Sequence, residues 1–499
     1  MNVKIITMAS RLEEILKERE KKIDTLKLMG IELYPAKSKK DVANKEVVDN
    51  FEKYEGKKLT LAGRIMAWRE HGKLTFAQIQ DQSGRIQLFI RADMVPATNK
   101  DAQTLGFEDL ELLDLGDIIQ TTGEVVKTRT GEVSIMVEEI KLLAKARLPL
   151  PDKWAGIVDA DEAIRKRYLD ILMDSEKLHR FERKAKFWGE TRKFLESNGF
   201  VEVETPVLES VTGGADAKPF VTHMHAIDQD FFLRISTELF QKRLIGAGFE
   251  KVFTLGPNFR NEGMDDEHMP EYYQCEWYLA YADYRDNMKL VRDLYIHLAK
   301  EVYGRTDFET RGYKFDLADD WKEVDYVQSI KDRTGIDVFV DDETKMKKVV
   351  AENGVKLTGE INKMRLIDNL WKIVRKEISG PAFLVNVPKF VSPLAKNKPE
   401  NPLLTERFQP IIGGSEVGNG YSELNDPIEQ RERFMEQQSA RDAGDEEAQM
   451  MDTDFIEMLE YGMPPTSGFG FSERLFWFLE NVSGREGTLF PPLRVKKEE

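Results

Sequence analysis

The feature that most constrains the fold is the stretch 259–278, in which two predicted strands flank an acidic loop. Side chains in a strand alternate between its two faces, so the second strand has one polar, aromatic face and one apolar face. An aromatic platform beside a carboxylate suits a ligand with a flat ring and a cationic end, whereas the apolar face belongs to a core. The polar face carries Tyr272, Gln274, Glu276 and Tyr278. The apolar face carries Cys275, Trp277 and Leu279.

One arginine, Arg260, stands at the end of the first strand, within FRNEG and ahead of HMPEY. These two segments at this spacing closely resemble motif 2 of the class II aminoacyl-tRNA synthetases, in the form found in lysyl-tRNA synthetases. The resemblance implies that Arg260 contacts the α-phosphate of ATP and the carboxylate of the amino acid. It also implies that Glu262 and His268 hold adenine and the polyphosphate, and that Tyr272 stacks on adenine.

A second arginine, Arg474, lies in GFGFSERLFWFLEN, which reads as a glycine-rich strand entering a helix with Ser472 as N-cap. An arginine in a first helical turn, beside free backbone N–H groups, makes a site for phosphate. The segment resembles class II motif 3, which implies ATP binding by Arg474. Lysyl enzymes usually have aspartate where this chain has Glu473, a residue found there in the aspartyl and asparaginyl enzymes.

Between these arginines, TERFQPIIGGSEVGNGYSELNDP at 405–427 strongly resembles the strand that carries metal and substrate ligands in the lysyl family. The resemblance implies that Glu416 binds Mg²⁺, with Gln409 and Glu423 as further metal positions. The family normally has glutamate where this chain has Gln409. A glutamine carbonyl oxygen can still coordinate Mg²⁺, but it carries no charge.

The same resemblance implies a lysine pocket. Positions 419, 421 and 423 share one face of a strand because their numbering is odd. Three carboxylates and two tyrosines around one cavity would suit an ammonium on an alkyl stem, and the carboxylates would reject aspartate. The implied pocket residues are Gly214, Glu238, Glu276, Tyr278, Asn419, Tyr421 and Glu423.

Residues 59–142 alternate like five short strands with turn signals between them. Five short strands in so short a segment predict a small closed barrel of the OB type. The segment resembles the anticodon-binding barrel of lysyl-, aspartyl- and asparaginyl-tRNA synthetases. By that resemblance Phe76 and Gln87 stack on and read anticodon bases, and Arg69 and Glu132 match the lysyl branch; core packing is the alternative for Phe76.

The predicted organisation is an N-terminal amphipathic helix and lead-in at 1–50, an OB domain at 51–145, a proline-rich linker at 146–175 and a catalytic domain at 176–499. The basic N-terminal helix either packs on a domain or contacts RNA. A helix from about 177 to 198 with Gly199 as C-cap, followed by the strand VEVETPVL, resembles class II motif 1. That motif builds the dimer interface in the family, so we expect a homodimer.

Composition narrows the class of protein. A single cysteine excludes a disulfide framework and a cysteine-rich zinc site. The net charge of −16 argues against a broad basic surface, so a nucleic acid would have to meet a local patch. No apolar run of about 18 residues occurs, which predicts a cytoplasmic protein without a membrane segment.

The resemblance therefore implies an α+β protein, with an N-terminal OB barrel and a catalytic domain on an antiparallel sheet flanked by helices. The implied reaction joins L-lysine to ATP, with Mg²⁺ as cofactor, and then transfers lysine to tRNA(Lys). Three alternatives remain: an aspartyl- or asparaginyl-tRNA synthetase, favoured by Glu473; an enzyme that attaches an amino acid to a protein, a type that usually lacks the barrel; and a catalytically inactive tRNA-binding paralogue, for which Gln409 is the hint.

Overall fold

The computed structural model describes residues 2–151, 157, 159–355, 362–445 and 447–495. Contacts divide the chain into two compact units, Met1–Ser175 and Glu176–Glu499. The linker predicted at 146–175 lies partly outside the described residues, at 152–156 and 158. Among the described residues, no helix is both long and apolar enough to cross a membrane.

The first unit contains the predicted barrel, closed in the order β1-β2-β3-β5-β4. Its strands alternate buried and half-buried side chains, so one face of each fills the barrel. The only parallel pairing among its described strands joins β3 to β5. The OB-type prediction is confirmed. The strands are Lys58–His71 (β1), Leu74–Gln80 (β2), Arg85–Arg91 (β3), Ile118–Lys127 (β4) and Val133–Ala144 (β5).

The N-terminal helix packs on this barrel through its C-terminal half. Ile23 and Leu26 are buried in the barrel's core cluster. The Arg19 guanidinium is also buried, and it donates to the carbonyls of Leu115, Ala146 and Leu148 at 2.8–2.9 Å. These contacts favour the packed-helix interpretation for that half. The helices of this unit are Asn2–Leu28 (α1), Asn44–Asp49 (α2), Phe51–Tyr54 (α3), Ala160–Arg165 (α4) and Arg167–Met173 (α5), with a 3-10 turn at Phe107–Leu112.

The second unit is built on a large sheet, whose path runs β14-β15-β18-β20-β21-β11-β10-β6 with β19 paired to β18. The predicted α+β fold is confirmed, and most pairs in this sheet are antiparallel as predicted, with two exceptions. The β6–β10 and β14–β15 pairs are parallel. The strands on this sheet and beside it are Val201–Glu202 (β6), Leu208–Glu209 (β7), Val221–Met224 (β8), Gln229–Leu233 (β9), Lys251–Phe259 (β10), Glu271–Ala280 (β11), Asp307–Thr310 (β12), Tyr313–Asp316 (β13), Lys322–Asp325 (β14), Ala382–Val385 (β15), Asn397–Lys398 (β16), Asn401–Thr405 (β17), Arg407–Ile412 (β18), Ser415–Glu416 (β19), Asn419–Ser422 (β20) and Thr466–Ser472 (β21).

Helices cover the apolar face of this sheet. Trp277 on β11 packs against Phe469 on β21, with ring centroids 4.8 Å apart, and both belong to one aromatic core with Phe187 and Tyr295. The alternation predicted for β11 is therefore confirmed on its core side. The helices of this unit are Ser175–Ser197 (α6), Glu238–Gly246 (α7), Tyr284–Leu298 (α8), Tyr326–Thr334 (α9), Glu343–Glu352 (α10), Lys363–Arg375 (α11), Pro427–Asp442 (α12), Thr453–Tyr461 (α13), Arg474–Glu480 (α14) and Gly484–Gly487 (α15), with a π turn at Ala299–Tyr303 and a 3-10 turn at Lys389–Val391.

The motif 1 segment differs from its prediction in the strand. Helix α6 and the left-handed Gly199 after it agree with the predicted helix and C-cap. The strand expected over VEVETPVL ends at Glu202, however, and pairing resumes at Leu208 in a different, smaller sheet. Pro206 lies between the two strands and has no N–H to donate to a ladder, which accounts for part of this interruption.

Candidate active site

The polar face of the large sheet forms a trough over β21. Pairing sets Tyr278 opposite Gly468, and Gly468 opposite Tyr421, so that one row crosses three strands. Because a glycine has no side chain, the Tyr278 ring and the Glu423 carboxylate can extend over the middle of this row. A Cβ on Gly468 would lie only 2.5 Å from Glu423 Oε1, so no larger residue fits there without displacing the pocket wall.

A second row lies beside the first. Gly470 is paired with Glu276 on one side and with Asn419 on the other. A Cβ on Gly470 would lie 2.9 Å from Gln274 Nε2 and 3.0 Å from Glu276 Cγ. The structure thus brings the predicted residues of β11 and β20 onto one face, with a glycine floor between them.

Two carboxylates stand at the closed end of this trough. Glu423 is 1% exposed; its Oε2 is paired with the ammonium of Lys242, whereas its Oε1 has no donor among the described residues. Glu238 is buried at the start of α7 and accepts the Tyr421 hydroxyl at 2.8 and 2.7 Å. Burial is the main cause that raises the pKa of Glu423 well above its usual range. A buried carboxylate oxygen without a donor is costly unless a ligand satisfies it.

The same place holds a cation that the sequence reasoning missed. Lys242 is fully buried, its Nζ donates to Glu238 Oε1 at 2.6 Å, and it lies against Glu423 Oε2. The signal was available, because a lysine four residues after Glu238 on one helix faces the same side. The predicted cluster of carboxylates therefore contains an internal ammonium.

The third predicted carboxylate, Glu276, is already engaged by protein donors. It accepts from the Thr237 backbone N at 2.9 Å, from the Thr237 hydroxyl, and from Ser236 Oγ at 3.1 Å. Its pKa is raised, chiefly by burial and then by Glu238. Gly214, with a φ of +83°, lies against this segment, where a Cβ would come within 2.9 Å of Glu238 Cβ. Glu276 therefore anchors the segment that begins α7.

Arg260 follows β10 directly and lies beside Tyr272. The guanidinium carbon is 5.5 Å from the centre of the Tyr272 ring, and Nε has no acceptor among the described residues. The Arg260 backbone N donates to Pro270 O at 2.8 Å, which closes the acidic loop. A guanidinium with a free donor on the trough face is able to receive an anion.

The two other motif 2 residues lie in the exposed part of this loop. His268 Nδ1 is 2.9 Å from the Asp265 carboxylate, and the His268 backbone N donates to the same group at 2.8 Å. Glu262 is exposed, and its backbone N donates to Arg260 O at 2.9 Å. Their roles toward adenine and the polyphosphate stay predictions.

Arg474 begins helix α14 and reaches into the region between β19 and the loop. Its Nη1 donates to Glu416 O at 3.0 Å and its Nε to Glu267 O at 3.3 Å. Ser472 precedes the helix by two residues and accepts the Arg474 backbone N at 3.2 Å, so it acts one position earlier than a regular N-cap. Glu267, another residue that the sequence reasoning missed, accepts Ser415 Oγ at 2.6 Å and pairs with Arg311.

Glu416 is held by a segment to which the sequence assigned no chemistry. Arg375 Nη1 donates to Glu416 Oε2 at 2.7 Å, and the Trp371 indole donates to Oε1. Gln409 shares a strand face with Ile411, and Ile411 is paired with Glu416, so both predicted metal positions face the same side. Both Trp371 and Arg375 belong to α11, and only tertiary packing brings that helix to β19.

These residues fit a magnesium ion that is held largely by phosphates. The described residues contain no group of three or more His, Cys, Asp or Glu side chains arranged to hold a metal. Mg²⁺ commonly takes one or two protein oxygens and completes its shell with water and substrate phosphates. Glu416 and Gln409 supply such a set. Glu423 does not suit it, because the ammonium of Lys242 lies against that carboxylate.

Glu473, which favoured the aspartyl and asparaginyl alternative, is turned away from this region. Its carboxylate pairs with Lys184 on α6, and it accepts the Tyr273 backbone N at 3.3 Å. Burial is the main cause that raises its pKa. The position joins α14 to α6 and β11, so its side chain carries no information about the amino acid in the trough.

In the barrel unit, the predicted anticodon residues occupy the outer face. Phe76 is half-buried and stacks on Phe89 with centroids 5.3 Å apart, and it pairs across the sheet with Arg69. Gln87 Nε2 donates to Ser134 Oγ at 2.9 Å. Glu132 is exposed in the turn that precedes Ser134. Phe76 therefore lies outside the barrel core, but its ring is partly covered by Phe89.

Comparison with known proteins agrees with this architecture. Residues 159–494 match the family described as tRNA synthetases class II (D, K and N), and residues 59–143 match the OB-fold nucleic acid binding domain.

Three curated relatives are named lysine–tRNA ligase. The chain is 43% identical to the protein of Thermotoga maritima, over 98% of this chain and 97% of the relative. It is 43% identical to that of Thermoanaerobacter pseudethanolicus, over 100% and 99%, and 42% identical to that of Carboxydothermus hydrogenoformans, over 97% and 99%. The chain therefore belongs to the class II tRNA synthetases of the D, K and N group, within the lysine–tRNA ligase family.

Proposed function

We propose that this protein is a lysine–tRNA ligase, which activates L-lysine with ATP to lysyl-adenylate and pyrophosphate and then transfers lysine to the 3′ end of tRNA(Lys). The observation that carries the proposal is the buried Glu423 carboxylate, whose Oε1 has no hydrogen-bond donor among the described residues although its Oε2 is paired with Lys242. The ε-ammonium of lysine would supply the donor that Oε1 lacks. The names of the relatives, which match nearly the whole chain, support the same activity.

The activation step needs two anions held together for in-line attack on the α-phosphate, and it needs no covalent nucleophile. Arg260 would draw the lysine carboxylate and the α-phosphate together, because its Nε has no acceptor among the described residues and its charge lies near Tyr272 and Glu276. Tyr272, beside that guanidinium, offers a ring on which adenine would stack. Arg474 would bind the polyphosphate from the start of α14, with Glu262 and His268 contributing from the loop.

Glu416 and Gln409 would hold Mg²⁺ together with the phosphates of ATP. The ion would neutralise charge on the polyphosphate and on the departing pyrophosphate. Arg375 holds Glu416 in place through an ion pair at 2.7 Å. Because Gln409 carries no charge, the protein supplies one charged ligand and not two. It would therefore bind Mg²⁺ more weakly than a pair of glutamates would.

The barrel would read the anticodon of the tRNA. Phe76 would stack on a base, Gln87 would read a base edge, and Arg69 and Glu132 would contribute from the neighbouring strand and turn. The stacked Phe76–Phe89 pair supports this role, because it presents aromatic surface on the outer face of the barrel. The domain boundaries proposed with it are 51–145 for the barrel and 176–499 for catalysis. A protein with this activity would work in the cytoplasm.

We also propose a homodimer formed through the motif 1 segment. Strand β6 lies at the edge of the large sheet. Val201 on this strand is 49% exposed, and Val207 and Leu208 are also exposed. Exposed apolar side chains on an edge strand and in the segment that follows it mark a surface for association. A self-complementary contact here would bury them, and light scattering of the purified protein measures the resulting mass directly.

The test of the proposed function is exchange of labelled pyrophosphate into ATP in the presence of single amino acids. The exchange is expected to depend on L-lysine and not on aspartate or asparagine, because neither of these brings an ammonium to Glu423 and Glu238, and the side-chain carboxylate of aspartate would be repelled. Equal stimulation by aspartate would support the aspartyl alternative. Exchange with none of the amino acids would support an inactive tRNA-binding protein.

A further inference from the structure

Lys242 lies inside the carboxylate cluster but belongs to the protein, not to a substrate. It is fully buried on α7, and its Nζ donates to Glu238 and lies against Glu423. The same Nζ is 5.8 Å from the centre of the Tyr421 ring and 5.7 Å from that of Phe455. A lysine held in this way costs side-chain entropy and desolvation, so its position calls for an explanation.

The explanation offered by the geometry is charge balance. Glu238 and Glu423 would be two like charges in a buried site, and repulsion together with desolvation would protonate at least one of them. One internal ammonium between them favours their ionised forms, and when both are ionised it leaves this pair with one negative charge to spare. A lysine side chain brings one positive charge, so the balance with the ligand present is neutral.

Lys242 also fixes the positions of the two carboxylates. Glu238 is fixed by Lys242 at 2.6 Å and by the Tyr421 hydroxyl at 2.8 and 2.7 Å. Lys242 also touches Glu423, whose oxygens keep no other donor among the described residues. Glu238 is therefore anchored, whereas Glu423 is oriented but still able to accept hydrogen bonds.

We propose that Lys242 is a positioning residue of the amino-acid pocket, which pairs with both Glu238 and Glu423, offsets the repulsion between them and thereby sets the pocket to receive a single ammonium. This inference rests on the proposed function, because it takes lysine as the ligand. It assigns to α7 a direct part in specificity, through a residue that touches the two carboxylates and not the reacting atoms.

The test compares Lys242→Met, which removes the charge, with Lys242→Arg, which keeps it. Lys242→Met is expected to raise the KM for lysine about tenfold or more, with the KM for ATP within about twofold of the parent. Lys242→Arg is expected to recover part of the lost lysine affinity. The matched control is Arg243→Met on the same helix, which removes an ion pair with Asp452 outside the pocket and is expected to leave the KM for lysine unchanged.

Three results would overturn the inference. Lys242→Met could use lysine at the parent KM or a lower one, which would mean that Lys242 does not support the carboxylates. It could lose lysine and ATP equally, or Lys242→Arg could recover nothing; either would mean a structural role alone. Lysine-dependent exchange by the unaltered protein is measured first, so that a failure of the proposed function is seen separately.

If Lys242→Met does not fold, the double variant Lys242→Met/Glu238→Gln provides the test through melting temperature. Removing one carboxylate relieves the repulsion that loss of the lysine creates, so the double variant is expected to fold and to melt above the single variant. A double variant that is as unstable as the single one would contradict the charge-balance account.

Discussion

At the scale of single residues, the pocket depends on carboxylates that water cannot reach. Glu423 is 1% exposed, and a charge in such a place is tolerated only with a partner. Lys242 is one partner within the protein, and a bound ammonium would be the second. Leaving the Glu423 carboxylate without a partner costs free energy. The affinity for the ligand therefore depends on the charge of this one side chain.

Glu423→Gln is expected to weaken lysine use strongly while ATP binding stays near that of the parent. Removing a charged partner from a desolvated ammonium costs roughly 2–5 kcal/mol. The KM values for lysine and ATP in pyrophosphate exchange measure the effect. Glu250→Gln, at an exposed position, is the matched control. An unchanged KM for lysine would remove Glu423 from the pocket.

Glu209 gives a pH-dependent prediction about stability. Burial raises the pKa of Glu209 to about 8. An unfolded glutamate titrates near pH 4.3, so the folded protein holds the proton more tightly, by roughly 1.4 kcal/mol per unit of pKa difference. The contribution of the protonated form is complete below about pH 4.3 and is lost progressively as the pH rises toward about 8.

Glu209→Gln carries no titrating proton and is expected to lose less stability than the parent over this range. Urea denaturation at several pH values between about 5 and 8 measures the free energy of unfolding of both proteins. The advantage of the variant should grow with pH. Parallel profiles would show that Glu209 does not titrate in this window.

At the scale of secondary-structure elements, periodicity explains what the sequence could predict. Alternation along β11 predicts which face is core and which is polar, and the five barrel strands follow from the same period. The contacts of Trp371 and Arg375 with Glu416 could not be predicted in this way, because they join α11 to β19 through tertiary packing. Lys242 was predictable from its spacing to Glu238, once that glutamate was placed on a helix.

The strand pair β18–β19 carries a prediction about magnesium. Gln409→Glu is expected to saturate at a lower magnesium concentration than the parent, because it adds a charged oxygen on the face shared with Glu416. Glu416→Gln is expected to be nearly inactive, since it leaves no carboxylate there. Magnesium titrations of pyrophosphate exchange measure both. If Gln409→Glu behaves like the parent, Gln409 does not touch the metal.

At the scale of the whole molecule, the two units each have their own hydrophobic core. The barrel core contains Ile65, Leu88 and Val137, and the core under the large sheet contains Trp277 and Phe469. All the residues of the candidate active site belong to the second unit. Activation of the amino acid and recognition of the tRNA should therefore respond to different substitutions.

Phe76→Ala tests this separation. It is expected to impair charging of tRNA, because stacking of a base on an aromatic ring is worth about 1–3 kcal/mol, and to leave pyrophosphate exchange intact. Both activities are measured together with the melting temperature. If exchange falls in parallel and the protein melts earlier, Phe76 supports the barrel through its contact with Phe89 and does not read tRNA.

The central claim is that buried carboxylates select the amino acid by its ammonium, and norleucine tests it most directly. Norleucine has the alkyl stem of lysine without the charged end. A site built to bind a polar group rejects an analogue that lacks it by about 10⁴-fold or more. The measurement is kcat/KM for lysine and for norleucine in pyrophosphate exchange. The account predicts a preference for lysine of that order, and comparable use of both would contradict it.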